Sequence, residues 1–445
     1  MSRMLYLFNP ENDLALANFT SNYTPPASAV RMARELAVLP IWFAAQDKEP
    51  YVIVKEDTNE KPHVGDVSNA DVKPIVVAEA EANREPMVIA EGSVNRDFLN
   101  RMKEVLPLQA TLISYSDIAS FPDRRIVPWG WNPSLARRLS DHGASKHQLP
   151  STEALERLRG YSNRRHSVEM LKELRGHDAG FLGDARYFTG MEELLTYLNS
   201  FPGDKALKMP LSGSGKGLIW ILDQITDKQA DWARKVIREQ GGIVAEPKYN
   251  RVKDFAMEFY LDTGAVRFTG YSLFRTAASG AYMGNELLND QRIVEVLSCY
   301  TDSDSSHRLS ADSSYCPSPD LLQQLKEWFV KELSNRFPHY KGYAGVDMMI
   351  CDTGGGYKVH PCVEINTRMN MGVASRLFHE RFVQPGREGR FMVDYIKKPE
   401  GALSFHHAME RDYPLEVKDK MVASGYLPLT PVTANTRYIA YAIVR

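Results

Sequence analysis

Short apolar runs alternate with helix-like segments over roughly the first 150 residues of the chain. Apolar runs that read as strands are Met4–Phe8, Tyr51–Val54, Pro86–Ala90, Thr111–Ser114 and Arg125–Pro128. Segments with apolar residues at helical spacing are Ala27–Leu39, Arg96–Leu106 and Pro133–Leu139. Alternation of strands and helices predicts an open, largely parallel α/β sheet.

After Thr152 the pattern changes to helices mixed with hairpins. Phe255–Leu261 and Val266–Leu273 are apolar runs joined by Asp-Thr-Gly, which predicts an antiparallel pair. Tyr343–Cys351 and Lys358–Ile365 repeat this arrangement around a Gly-rich turn. The second part of the chain is therefore expected to contain antiparallel sheets, an α+β arrangement following the α/β one.

Four segments follow from these changes in pattern. Residues 1–150 form an N-terminal α/β domain and 151–250 a smaller unit. Residues 251–385 form a larger unit with an insertion at 301–320, and 386–445 form a C-terminal extension packed on the large unit. The insertion holds seven Ser and four Asp and almost no apolar residue, which is typical of a solvated loop.

Charge and cysteine content narrow the class of protein. The 445 residues carry 54 Lys and Arg against 56 Asp and Glu, so nothing draws the chain toward nucleic acid or an anionic membrane. Four scattered cysteines form no CxxC pair, which argues against a disulfide framework or a zinc site. No secretory signal or membrane span is recognised, so a cytoplasmic location is expected.

A glycine-rich loop between two apolar strands is the first segment with chemical potential. Backbone N–H groups of such a loop can approach a phosphate because no side chain intervenes. The stretch from Lys208 to Gly217 departs from a Walker A loop, since Gly217 stands where that loop needs Ser or Thr. The alternatives are a lid that closes over a nucleotide and a flexible hairpin tip; Lys208 needs either a phosphate or a structural carboxylate as partner.

An acidic hairpin is the second segment. Alternation along the strand puts Glu364 and Asn366 on one face, and pairing with the preceding strand can bring Asp347 to the same side. Carboxylate and amide oxygens suit Mg²⁺ together with nucleotide phosphates. Arg368, two residues on, can bind an anionic substrate or intermediate. The competing interpretation is a set of polar residues on a half-exposed sheet face.

Taken in order, these features resemble the ATP-grasp superfamily. An α/β domain precedes a Lys-bearing strand, a glycine hairpin, the strand end Val-Ala-Glu-Pro-Lys-Tyr and an acidic hairpin closing in Glu-x-Asn-x-Arg. The last motif is similar to the biotin-carboxylase branch. The resemblance covers roughly residues 110–380 and implies a pre-ATP-grasp domain followed by a two-subdomain ATP-grasp fold.

The resemblance also implies roles for individual residues. Those expected to bind ATP are Arg164, Lys208, Ser212, Gly213, Ser214, Gly215, Gly217, Glu246, Lys248, Tyr249 and Asp254. Those expected to hold Mg²⁺, or Mn²⁺ in its place, are Asp347, Glu364 and Asn366. The residues expected to offset the repulsion between the two anionic reactants are Lys216, Arg275 and Arg368, and Arg275 is the one expected to steady the transferred phosphoryl group. Arg164 departs from the family's pattern, because Asn163-Arg164 stands where the family has Asp-Lys.

The acceptor side is expected near the first strand. Asn9, Glu11 and Asn12 follow that strand at its carboxyl end, where open α/β sheets bind ligands. Asn370, beyond the Glu-x-Asn-x-Arg run, is a further candidate substrate contact. The alternative for the N-terminal loop is a turn whose polar side chains cap a following helix. Trp129 and Trp131 can line the same cleft or pack at a domain junction.

The implied function is an ATP- and Mg²⁺-dependent ligase. A substrate carboxylate would be activated as an acyl-phosphate and joined to an amine or thiol, with an amino acid, peptide or similar small acid as substrate. Two alternatives stay open: a phosphotransferase acting on a hydroxyl, and a nucleotide-binding regulatory protein without turnover. Small molecules are the expected partners, with no nucleic acid and no membrane, and a homo-oligomer is left open.

Overall fold

The computed structural model describes residues 4–44, 50–53, 93–213, 217–277, Gly280, 282–300 and 318–445. Its first unit is a four-stranded sheet in which every strand pair is parallel. The strands are β1 (Met4–Leu7), β2 (Pro50–Ile53), β3 (Thr111–Ile113) and β4 (Arg125–Pro128), in the order β3-β2-β1-β4. The helices are α1 (Asn12–Asn18), α2 (Ala27–Glu35), α3 (Ser93–Val105) and α4 (Pro133–Asp141).

A small antiparallel sheet follows two connecting helices, α5 (Thr152–Tyr161) and α6 (Arg165–His177). Its strands run in the order β5-β8-β6-β7. In chain order its elements are β5 (Arg186–Phe188), α7 (Met191–Asn199), β6 (Lys205–Lys208), β7 (Leu218–Ile221), α8 (Asp227–Gln240) and β8 (Ile243–Pro247). Helix α8 begins at a capping box on Thr226 and ends at Gly241, whose φ of 79° suits a left-handed cap.

The rest of the chain builds a nine-stranded sheet in the order β13-β12-β9-β10-β11-β14-β17-β16-β15. Its strands are β9 (Arg251–Asp262), β10 (Ala265–Thr276), β11 (Tyr282–Leu287), β12 (Lys341–Asp352), β13 (Tyr357–Asn366), β14 (Gly389–Tyr395), β15 (Glu416–Lys418), β16 (Met421–Pro428) and β17 (Tyr438–Val444). Its helices are α9 (Asp290–Ser298), α10 (Pro319–Arg336), α11 (Met371–Phe382) and α12 (Gly401–Asp412).

The two faces of the large sheet are covered by different helices. Phe255, Met257 and Phe259 of β9 are fully buried in a core shared with α9 and α10. Residues at the alternate positions of the same strand point to the opposite face, since side chains alternate along a strand. Helix α11 covers that second face, and Asn370 caps it by accepting from the Val373 N–H.

The C-terminal strands join the large sheet and also contact the N-terminal unit. Trp42 Nε1 donates to the Leu429 carbonyl at 2.6 Å. Glu35 Oε2 accepts from the backbone N–H groups of Arg437 and Tyr438 at 3.0 and 2.8 Å. Because Trp42 is fully buried, this junction closes a core formed by both ends of the chain.

The predicted fold class, a parallel α/β unit followed by antiparallel sheets, is confirmed by these sheets. The strand predicted at Pro86–Ala90 and nearly all of the Ser- and Asp-rich insertion lie outside the described residues. Strands β14 to β17 continue the sheet begun by β9, which the sequence pattern did not predict. No helix among the described ranges is long and apolar enough to cross a membrane.

Candidate functional site

A cavity of about 430 Å³ lies on the face of the large sheet that α11 also covers. Polar residues enter it from successive strands of the sheet. In strand order they are Glu364 and Asn366 on β13, Asp347 on β12, Glu258 on β9, Ser272 on β10 and Asn285 on β11. Pro10 and Asp13 from the N-terminal unit and Gly213 from the glycine loop close the opposite side.

The acidic end of the cavity is created by strand register. Antiparallel pairing sets Asp347 opposite Glu364 and Gly345 opposite Asn366. Asn366 Nδ2 donates to Asp347 Oδ2 at 2.9 Å, which leaves its amide oxygen available. Burial, with Glu364 and Glu258 as further negative neighbours, raises the pKa of Asp347 well above its ordinary value. A cation at this end would relieve that repulsion.

The donor set fits magnesium better than a soft metal. Among the described residues, no three His, Cys, Asp or Glu side chains lie close enough to hold a metal by themselves. The ligands on offer are the carboxylates of Asp347 and Glu364 and the amide oxygen of Asn366. A metal bound by these three would keep further coordination positions for water and phosphate oxygens. This incomplete set of oxygen ligands is the pattern that Mg²⁺ takes in nucleotide sites.

Arg164 joins the glycine loop to the acidic end. Its Nη1 donates to the Met209 carbonyl at 2.6 Å and to Ser212 Oγ at 2.7 Å. Its Nη2 donates to Glu364 Oε1 at 2.7 Å. The guanidinium thus connects the glycine loop to the acidic end of the cavity by charge-assisted hydrogen bonds.

Arg368 ties the acidic end to the N-terminal unit. Its Nε donates to Asp13 Oδ1 at 2.7 Å, and both residues line the cavity. A Cβ built on Gly213 would collide with the Asp13 carboxylate, so only glycine allows this approach of the loop. Loop, N-terminal unit and large sheet therefore meet at one point.

The remaining residues expected to bind ATP lie on β6, at the end of β8 and on β9. Lys208 Nζ lies 2.5 Å from Glu246 Oε1, so its partner in this structure is a carboxylate. Lys248 pairs with Asp204 at 2.9 Å, and the Tyr249 hydroxyl accepts from the Asp184 N–H. Asp254 accepts from Thr276 Oγ1 at 2.8 Å. None of the four predicted residues Glu246, Lys248, Tyr249 and Asp254 lines the cavity described above.

Other predicted positions lie elsewhere or cannot be described. Arg275 is half-exposed and pairs with Glu286 at 2.8 Å. Gly217 has a φ of 80° and follows directly on the undescribed part of the loop. Ser214, Gly215 and Lys216 lie outside the described residues.

The polar N-terminal loop is occupied by internal contacts. Asn9, fully buried, donates to the Gly130 carbonyl at 2.8 Å and accepts from the Gly130 N–H at 3.3 Å. Asn12 Oδ1 accepts from Asn132 Nδ2 at 3.1 Å, and Glu11 lies 3.8 Å from the Arg138 guanidinium. Asn9 and Asn12 thus hold the loop that contains Trp129 and Trp131, and none of the three predicted side chains lines the cavity, although the neighbouring Pro10 and Asp13 do. Trp129 itself lines the cavity, as one of its two sequence interpretations expected.

Glu258 and Asn285 line the cavity, although the sequence analysis did not predict either of them as a site residue. Glu258 accepts from Ser272 Oγ at 2.9 Å and from Asn370 Nδ2 at 2.8 Å. Burial raises its pKa to about 7, against the lowering effect of those hydrogen bonds. Asn370, a predicted substrate contact, thus orients Glu258 as well as capping α11. The available signal was a single carboxylate inside the apolar run Phe-Ala-Met-Glu-Phe-Tyr-Leu.

Solved structures resemble the chain weakly. The biotin carboxylase domain of Hydrogenobacter thermophilus 2-oxoglutarate carboxylase, with MgADP, ADP and bicarbonate, is 12% identical, with 100% of this chain and 86% of that one covered and a TM-score of 0.46. N5-carboxyaminoimidazole synthetase from Staphylococcus aureus with ADP is 12% identical, with 74% of this chain and 89% of that one covered and a TM-score of 0.41. L-amino acid ligase from Bacillus licheniformis is 14% identical, with 73% of this chain and 77% of that one covered and a TM-score of 0.37.

No family model and no curated protein matches the chain. Structural likenesses at these identities and at TM-scores below 0.5 assign neither a family nor a reaction. The function therefore has to be argued from the site.

Proposed function

We propose that the protein is an ATP-grasp ligase that uses Mg²⁺ and ATP to activate a carboxylate and join it to an amine. The observation that carries the proposal is the convergence on one cavity of Asp347, Glu364 and Asn366 with Arg368, below a glycine loop held by Arg164. A magnesium-bound triphosphate requires oxygen ligands on one side and cationic or N–H donors on the other.

The metal would be held by the two carboxylates and the Asn366 oxygen. When bound, Mg²⁺ neutralises the triphosphate and lowers the barrier to phosphoryl transfer. Arg164 would contact the phosphates from the loop side. Arg368, fixed by Asp13, would hold the substrate carboxylate against the γ-phosphate. Lys216 is proposed from the sequence alone to reach the same phosphate from the loop.

In the first step a carboxylate oxygen attacks the γ-phosphorus. The new O–P bond forms while the bond to the β,γ-bridging oxygen breaks, and ADP leaves with the electron pair. In the second step the amine nitrogen attacks the acyl carbon, the C–N bond forms and phosphate leaves. Of the two protons lost by the ammonium, one goes to phosphate and one to solvent. Positioning and charge neutralisation supply most of the rate, which needs no Ser-His-Asp machinery.

The test is an ADP-release assay over a panel of carboxylic acids with hydroxylamine as the acceptor. Acyl-phosphates give hydroxamates, so ADP and hydroxamate should form together with at least one acid and only with Mg²⁺. The Glu364→Gln variant should lose both products. The matched control, Glu416→Gln, changes an exposed carboxylate on β15 and should retain them.

Two results would contradict the ligase. ADP with a phosphorylated alcohol and no hydroxamate would indicate a phosphotransferase. ATP binding without ADP release over the whole panel would indicate a regulatory nucleotide-binding protein.

A further inference from the structure

The cavity continues past the carboxylates to an end that the ATP and metal roles leave unused. Going outward from β9 the wall is formed by β10, β11, β14 and β17 in turn. It contains a buried amide, Asn285, and then a group of apolar and aromatic side chains. These are Met32, Phe274, Met283, Val393, Tyr395 and Tyr438.

Asn285 is the first observation. It is 2% exposed, and its Oδ1 accepts from the Tyr282 hydroxyl. Among the described residues its Nδ2 has no hydrogen-bond partner. A buried amide donor without an acceptor destabilises the protein, because it loses its hydrogen bond to water. Since Asn285 lines the cavity, a carbonyl or carboxylate oxygen bound there would supply the missing acceptor.

Glu258 is the second observation. Ser272 and Asn370 each donate one hydrogen bond to its carboxyl group, which is 2% exposed and lines the same cavity. Each carboxylate oxygen can accept more than one hydrogen bond, so these two contacts leave acceptor capacity for a ligand. An ammonium group is the ligand that both neutralises and hydrogen-bonds a buried carboxylate.

The spacing of these two groups is set by the sheet. Asn285 pairs with Phe274 on β10, so Ser272 is its diagonal neighbour at about 7–8 Å between Cα atoms. Ser272 in turn holds Glu258 at 2.9 Å. The gap between the Glu258 carboxyl and the Asn285 amide is therefore on the order of 10 Å. That is the span of one α-amino acid with a hydrogen bond at each end.

The aromatic end is the third observation. Met283 and Tyr395 are 42% and 56% exposed, high values for large apolar side chains that line a cavity. Tyr395 packs on Tyr438 with ring centroids 4.8 Å apart. Asp394 also borders this end, and its Oδ2 accepts from the Tyr441 hydroxyl at 2.7 Å. Because aromatic and thioether side chains form most of the exposed surface here, it favours an apolar or aromatic group.

We propose that this end of the cavity is the amine-substrate subsite and takes an α-amino acid with an apolar side chain. Asn285 Nδ2 donates to its carboxylate, Glu258 binds its ammonium, and its side chain lies against Met283 and Tyr395. The inference rests on the proposed ligase, because it assigns the second substrate of that reaction. It also gives strands β14 and β17 of the C-terminal extension a role in specificity.

Calorimetric titration with and without Mg²⁺ and a non-hydrolysable ATP analogue tests the subsite directly. L-Phenylalanine and L-leucine should bind at least tenfold more tightly than L-aspartate or L-lysine. The Asn285→Leu variant should bind L-phenylalanine at least tenfold more weakly than the parent protein does. Its affinity for phenethylamine, which lacks the carboxylate, should stay within twofold of the parent value. Glu258→Gln should lower the affinity for both of these ligands. Its affinity for 3-phenylpropionate, which lacks the amine, should stay within twofold of the parent value.

Retained binding of the ATP analogue shows that a variant is folded. L-Aspartate binding as tightly as L-phenylalanine, equal losses of both ligands in Asn285→Leu, or no amino acid binding while the analogue binds would each overturn the subsite alone. Failure of the analogue to bind would overturn the proposed ligase instead. L-Phenylalanine binding without the analogue would then still support the subsite.

Discussion

Two polar clusters, the acidic hairpin and the N-terminal loop, were both candidate sites in the sequence but have different surroundings in the structure. Asp347 and Glu364 face a cavity and repel each other there. Asn9 and Asn12 satisfy their polar atoms within the N-terminal unit, through the Gly130 backbone and Asn132. A polar cluster is therefore a candidate site when its groups face a cavity and part of their charge has no opposite charge nearby.

The largest effect is expected at the acidic hairpin. Asp347→Asn should lower the rate of ADP release on the order of 10³-fold, because a magnesium ligand that carries charge is lost. The melting temperature should stay the same or rise, since the variant removes a buried like-charge contact. Steady-state kinetics and thermal unfolding measure the two quantities. A large drop in melting temperature would indicate that Asp347 stabilises the fold, as the polar residues of the N-terminal loop do, and does not bind a metal.

His360 tests whether an unsatisfied polar group is enough to mark a site. Neither of its ring nitrogens has a hydrogen-bond partner among the described residues, yet His360 is fully buried and does not line the candidate cavity. Burial lowers its pKa to about 4, so the unfolded chain binds the proton more readily between pH 6.5 and 4. Stability should therefore fall as the pH drops through this window, by about 3 kcal/mol at pH 4.

Denaturant unfolding at pH 7 and pH 4 measures this loss of unfolding free energy. His360→Phe removes the titrating group and should lose about 3 kcal/mol less stability between the two pH values than the parent chain does. Equal acid sensitivity of the two proteins would show that other groups cause the loss.

A smaller effect, on stability and not on binding, is expected at the N-terminal loop. Asn9→Ala removes two buried hydrogen bonds and leaves the Gly130 N–H and carbonyl without them, at a cost of about 2 kcal/mol in unfolding free energy. The affinity for an ATP analogue should change less than twofold at a temperature where the variant is folded. The control Asn199→Ala, on the exposed end of α7, should cost under about 0.5 kcal/mol.

The smallest effect is expected at Asp13, where the two clusters meet. Asp13→Asn weakens the hold on Arg368 without removing that guanidinium, and should raise the KM for the substrate acid about tenfold with little change in the KM for ATP. Equal rises in both KM values would place Arg368 on the nucleotide instead. The hydroxylamine assay measures both constants.

Local pairing explains what the sequence could predict. The alternation in Glu364-Ile-Asn366 and the hairpin to Asp347 depend on neighbouring strands with a short turn, so the shared face follows from period two. The fold class was predictable for the same reason, because hairpins and strand–helix alternation are local patterns.

The rest depends on contacts between distant parts of the chain. Arg164 and Glu364 are 200 positions apart, and Asn370 and Glu258 are 112 apart. Asn285 enters the cavity only because β11 pairs with both β10 and β14, and that pairing leaves no periodic trace in the sequence. The internal role of Asn9 could not be predicted either, since its partner Gly130 follows β4 and lies 121 positions away in the chain.

Thermal unfolding with a non-hydrolysable ATP analogue, with and without Mg²⁺, measures whether the acidic end of the cavity binds a magnesium–nucleotide complex. The analogue with Mg²⁺ should raise the melting temperature, with a stabilisation of about 2.7 kcal/mol at a hundred times the dissociation constant. Without Mg²⁺, or in Asp347→Asn, the shift should be much smaller. No shift under any condition, or the same shift without Mg²⁺ and in the variant, would contradict this binding.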